Sequence, residues 1–117
     1  MKPPIFVFTD DFLVFDTLQH AESYLEPYDV KEDDELYDSE GRKLKEKIVS
    51  EKVCIARYFV LPIKAPRVRI FAVEDEPKHE ERLRNLIIDF LSRVGDKSDL
   101  KDCTTEELVQ KSLKFKN

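Results

Sequence analysis

Residues 5–9 and 12–16 are two short β-rich runs separated by Asp10-Asp11, and almost every position in them is apolar. Phe6, Phe8, Phe12 and Val14 alternate with Ile5, Val7, Leu13 and Phe15, so both faces of the predicted hairpin are hydrophobic. A strand that is apolar on both sides has to be covered on both sides, which places this hairpin in the middle of a sheet. Asp10-Asp11 suits the turn, because short polar side chains tolerate unusual backbone angles there.

The following segments extend the pattern. Asp16 and Gln19 have capping-box spacing for a helix over residues 17–25 that buries Leu18, Ala21 and Leu25, and Pro27 ends it. Leu36-Tyr37-Asp38 and Arg42-Lys43-Leu44 flank Ser39-Glu40-Gly41, where Gly41 can take the left-handed conformation of a bulged hairpin turn. Residues 43–63 are β-rich, and Ser50-Glu51-Lys52 reads either as a turn or as the polar middle of one long strand. Pro62, Ala65 and Pro66 are expected to break that pattern before a further strand in which Val68, Ile70 and Ala72 alternate with Arg67, Arg69 and Phe71.

Leu83, Leu86, Ile87, Phe90, Leu91 and Val94 recur at helical spacing and define an amphipathic helix after Pro77. Pro77 suits its first turn, Glu80 to Arg84 and Asp89 to Arg93 are favourable i,i+4 pairs, and Gly95 supplies the stop. A short last helix starts at Thr104, with Glu107 completing a capping box and Leu108, Val109 and Leu113 docking it. The expectation is one α+β domain over residues 1–117. Its antiparallel sheet comes from two hairpins plus a later strand, with the amphipathic helix packed on it and a short C-terminal helix.

A chain of 117 residues can bury about two thirds of its unfolded surface without metals or disulfides. With 41% hydrophobic and 38% charged residues, it reads as a compact fold with a densely charged exterior rather than a disordered chain. The apolar run from Ile5 to Phe8 is too short for a signal peptide or a membrane span, so the expected location is the cytoplasm. Cys54 and Cys103 show no metal-ligand or CxxC spacing and are expected to be packed thiols.

The charge is concentrated. Between residues 29 and 40, Asp29, Glu32, Asp33, Asp34, Glu35, Asp38 and Glu40 face only Lys31, a formal −6 in a chain of net −5. Such a segment steers a positively charged partner or keeps a loop solvated. It lacks the register of a Ca²⁺ loop, which alternates oxygen ligands around an internal glycine.

Catalytic chemistry finds little support. Asp10 and Asp16 lie near strand ends as in haloacid-dehalogenase-like phosphatases, but Phe12 and Leu18 stand where the second carboxylate is needed. His20 and His79 flank no nucleophile motif, and Gly41 and Gly95 stand alone rather than in a phosphate-binding loop. Neither a catalytic residue, a metal site nor a cofactor is expected. Arg67, Arg69, Lys111, Lys114 and Lys116 lack both aromatic interleaving and a net positive face, so direct nucleic-acid binding is disfavoured.

The ordered series Phe6-Val7-Phe8, Tyr24-Leu25-Glu26-Pro27-Tyr28-Asp29-Val30, Tyr37-Asp38-Ser39-Glu40-Gly41-Arg42 and Arg82-Leu83-Arg84-Asn85-Leu86 resembles small bacterial immunity-type proteins found beside polymorphic or contact-dependent toxins. Residues 51–66 match least. The resemblance implies a cytosolic inhibitor that blocks one cognate toxin, such as a basic nuclease domain, by stoichiometric binding. Charge complementarity then selects Glu32, Asp33, Asp34, Glu35 and Asp38 as the expected partner-binding residues. The alternative is a non-catalytic adaptor or self-associating protein that pairs through an exposed apolar strand at residues 53–61.

Overall fold

The computed structural model describes residues 1–25, 34–56, 59–96 and 98–117, with only the backbone described for 51–56 and 59–65. Five antiparallel strands, β1 (Ile5–Phe8), β2 (Phe12–Phe15), β3 (Glu35–Tyr37), β4 (Lys43–Ala56) and β5 (Phe59–Ala72), form one sheet in the order β2-β1-β3-β4-β5. The expected hairpins are both present, and β1 joins them by pairing Phe6 with Val14 on one side and Tyr37 on the other.

Only β1 is central; β2 lies at the sheet edge rather than in its middle, and is apolar on both sides because helices cover both faces of the sheet there. Ile5, Val7, Phe15, Leu36, Leu44, Val68 and Ile70 point to one side and pack on Ala21 and Leu25 at helix α1 (Leu18–Tyr24). Phe6, Val14 and Tyr37 point to the other and meet Leu83, Ile87 and Leu91 of helix α2 (Glu80–Arg93), with Leu108 and Val109 of helix α3 (Thr105–Ser112). The sheet is thus sandwiched between helices, and a fully buried Leu, Ile or Phe contributes about 1.5–3 kcal/mol to holding each layer.

Local signals behave as their chemistry requires, with three displacements. Thr17, not Asp16, caps α1: its hydroxyl accepts from the His20 amide, while Asp16 turns outward to the His20 ring at 3.4 Å. Helix α2 begins at Glu80 behind His79, so Pro77 precedes the helix rather than occupying its first turn. Asp89 pairs with Arg93 at 2.8 Å as expected, but Glu80 and Arg84 both turn to Thr105, at 2.5 and 3.2 Å. The α2 stop is a Schellman turn: Gly95 at φ +92° donates to Ser92, and Asp96 donates to Leu91. The Thr104–Glu107 capping box is present in full.

The prolines do not interrupt β5. Strand β4 continues through Ser50-Glu51-Lys52, and β5 runs through Pro62 and Pro66, with Pro66 in register opposite Ser50. Strand β5 is an edge strand, and the Ile70 amide points outward to Glu22 at 2.8 Å, so Pro66, four residues earlier, lacks only an outward donor. Residues 53–61 are divided between β4 and β5, with Cys54 opposite Val60 and Ala56 opposite Phe59, rather than forming one strand. Each of these 14-residue strands spans about 45 Å. The long hairpin makes the molecule 55 Å in its longest dimension, with a radius of gyration of 16.2 Å against roughly 13 Å for a compact chain of this length.

Candidate partner-binding surfaces

Folding sends the acidic segment in separate directions. Glu32 and Asp33 lie outside the described residues, as do Asp29 and Pro27. Asp38 is 0% exposed and accepts hydrogen bonds from the amides of Lys2, Glu40 and Arg42 at 3.1, 3.0 and 2.8 Å. Oδ1 takes the Glu40 and Arg42 amides, while Oδ2 takes the Lys2 amide and Arg42 Nη1, the latter at 2.7 Å. Asp38 is therefore the internal knot of the β3–β4 turn and presents no carboxylate to a partner. Glu35 accepts Arg82 Nη2 at 3.2 Å on both oxygens, tying β3 to α2 at the surface.

Asp34 has a different neighbour. Continuing the Leu36–Leu44 register by two residues puts Asp34 beside Glu46, on the face that carries Ile70. Burial, then the charge of Asp34 and the hydrogen bond between the two carboxyl groups, pushes the Glu46 carboxyl up to about 7 from an ordinary 4.5. Glu46 Oε2 is buried with no hydrogen-bond partner. Because the folded chain holds this proton more tightly than the unfolded chain, Glu46 contributes its full stability below pH 4.5 and loses it as pH rises through about 7. Glu46→Gln is accordingly expected to stabilise the fold by about 1 kcal/mol near pH 8, after allowing for partial solvent screening, and to change little near pH 4. Urea unfolding at the two pH values checks this, and an equal effect at both would refute it.

A cleft of about 830 Å³ opens where the chain start, the β3–β4 turn and the beginnings of α2 and α3 meet. Four glutamates, Glu40, Glu80, Glu106 and Glu107, line it against Lys2 and Lys111, while Pro3, Pro4 and Pro77 give it apolar surface. Lys2 is anchored by the Asp38 carboxylate and by the Ser39 amide, which donates to its carbonyl at 2.9 Å. The two helix starts are linked through Thr105, and Arg84 Nη2 adds a bond to the Cys103 carbonyl at 2.8 Å. Glu107 is engaged in its cap and Glu80 in the Thr105 bond, so exposed Glu106 and exposed Glu40, the latter with a longer 3.7 Å contact to Arg42, are the carboxylates best placed to meet a partner.

Neither histidine lines this cleft. His79 Nδ1 lies 2.8 Å from Glu74, whose other contacts include the Lys43 amide at 2.7 Å. Burial raises the Glu74 carboxyl, but the hydrogen bonds from Lys43 and His79 and the His79 charge outweigh it and leave the group below its ordinary value. His20 and Asp16 are both exposed. Cys103 is a half-buried free thiol, and the side chain of Cys54 lies outside the described residues. Among the described residues there is no group of three or more His, Cys, Asp or Glu able to hold a metal ion, and no helix is long and apolar enough to cross a membrane.

One surface escapes linear reading. The β4–β5 register sets Lys47 opposite Arg69, Lys45 opposite Phe71 and Val49 opposite Arg67, and these six residues share one side of the hairpin. That side continues the face covered by α2 over β1, β2 and β3, yet no β4 or β5 residue belongs to the α2 core. The positive face is assembled from residues some 20 apart, visible only once the long hairpin and its register are known. Its trace in the sequence is regional: residues 43–72 hold eight Lys or Arg against Glu46 and Glu51, a formal +6, leaving −11 on the rest of a chain whose net is −5.

No family model, curated protein or solved structure matched this chain in the three comparisons.

Proposed function

We propose that this protein is a non-catalytic, stoichiometric inhibitor of the immunity type, which neutralises a cognate bacterial toxin by offering carboxylates to a basic surface such as that of a nuclease domain. The observation that carries the reading is the cleft whose glutamates outnumber its lysines four to two around proline surface. Charge of this kind speeds encounter with a basic partner and rejects acidic ones, while the apolar floor supplies contact area. Glu35 is taken up by Arg82 and Asp34 by Glu46 on the opposite face, so neither adds to the cleft, whereas Asp38 supports it from inside.

The test is binding of the purified chain to the toxin encoded beside it, by calorimetry, together with rescue of cells expressing that toxin. Glu40→Lys with Glu106→Lys is expected to weaken binding at least tenfold, chiefly at low salt, because reversed charges oppose a basic partner. Unchanged affinity after these reversals and after reversal of residues 32–35 would remove the acidic contact surface.

A further inference from the structure

We infer that the exposed side of the β4–β5 hairpin, bearing Lys45, Lys47, Arg67, Arg69 and Phe71, binds single-stranded nucleic acid, with phosphates along the cations and a base against the phenylalanine ring. Directly opposed residues in an antiparallel pair have Cβ atoms about 5 Å apart, and alternate residues along a strand are about 7 Å apart. Lys47 and Arg69 are opposed in this way, with Lys45 and Arg67 as their neighbours on the same face. Like charges so placed repel, and sheets ordinarily avoid the arrangement. Among the described residues Lys45, Lys47 and Arg67 have no carboxylate partner, and Arg69 has Glu22 at 3.5 Å. Nothing within the described fold offsets the repulsion at the first three, whereas a row of phosphates would.

Phe71 selects among polyanions. It is 43% exposed and sits directly across from Lys45, so the cations surround an accessible aromatic ring. An acidic protein needs only the charges, and a duplex keeps its bases stacked on one another. An unpaired base can stack on the ring while its backbone follows the cations, the pairing of features that single-strand binders use. The −11 carried outside residues 43–72 repels a polyanion from the remaining surface and confines the contact to this hairpin. This surface is separate from the acidic cleft, and its test does not depend on any toxin.

Fluorescence anisotropy of a labelled oligothymidylate with the full chain reads the interaction. Binding is expected at low salt, with a log–log salt slope of roughly −3 for four phosphate contacts. The double variant Lys47→Gln/Arg67→Gln is expected to bind at least tenfold more weakly with a slope nearer −1.5, and Phe71→Ala to bind about tenfold more weakly with the slope unchanged. Circular dichroism checks that these exposed positions leave the fold intact. Should a variant fail to fold, the slope of the unaltered chain and competition by polyglutamate decide. Absence of binding, binding indifferent to the substitutions, equal affinity for the duplex, or displacement by polyglutamate at matched charge would each overturn the assignment.

Discussion

Asp38→Ala is expected to lower the unfolding free energy by about 3–5 kcal/mol, because it removes one partner of a buried charged pair and leaves its donors without an acceptor. The side chain is wholly buried and receives three backbone amides, those of Lys2, Glu40 and Arg42, besides the Arg42 guanidinium. Against a typical total stability of about 5–15 kcal/mol, the loss is large enough to move the thermal midpoint by roughly 10–20 °C. Arg42→Ala should cost less. It leaves the Asp38 carboxylate with its three amides and forfeits the guanidinium contact and the 2.8 Å bond to the Asp75 carbonyl. Thermal melts of the two variants check the order, and an Asp38→Ala protein within about 1 kcal/mol of the parent would refute the role given to this carboxylate.

Gly41→Ala is the second large effect, expected at about 3 kcal/mol or more from two additive causes. Gly41 has φ +90°, where a Cβ is strained, and a Cβ there would lie 2.4 Å from Glu80 Cα and 2.5 Å from Glu80 N. The obstacle is backbone at the first residue of α2, held in place by the His79 amide donating to the Gly41 carbonyl at 3.0 Å. The turn and the helix start would have to separate. Gly95 is the internal control: it has nearly the same φ, +92°, but nothing lies within 4 Å of its Cβ position. Gly95→Ala should therefore carry only the conformational strain of about 1–2 kcal/mol. Denaturant melts of the pair separate the clash from the strain, and equal losses would show that the contact between the turn and α2 carries no weight.

These two residues also mark the boundary of what was legible in the chain. The Ser39-Glu40-Gly41 turn, the stripe from Leu83 to Leu91 and the Thr104–Glu107 box are written in neighbouring residues, and the structure has them where the spacing puts them. What linear reading lacked was knowledge of neighbours distant in sequence. Pro66 read as a breaker because nothing local says that β5 lies at a sheet edge with the Ile70 amide, four residues on in the same alternation, turned outward, and Pro62 because nothing local shows the register shift at which it falls. Asp38 read as one more surface carboxylate although Glu40 and Arg42, which supply three of its bonds, are in its own turn; only Lys2, 36 residues away, was beyond local reading. Glu80 and Arg84 read as a helical pair because Thr105, which takes both, belongs to another helix. The acidic segment was visible as composition, but its division into a buried knot, a tie to α2 and a strained carboxylate pair depends on the register between β3 and β4.

The place of β1 has a consequence for how the molecule is made. Each hairpin can arise from adjacent residues, but the sheet cannot, since Phe6 must find Tyr37 across 30 intervening positions. Closing that span is the entropic hurdle, and one event clears it: the same zipper that aligns β1 with β3 also delivers Lys2 to Asp38. Both hydrophobic layers draw residues from either side of this seam, so neither can be completed before it forms.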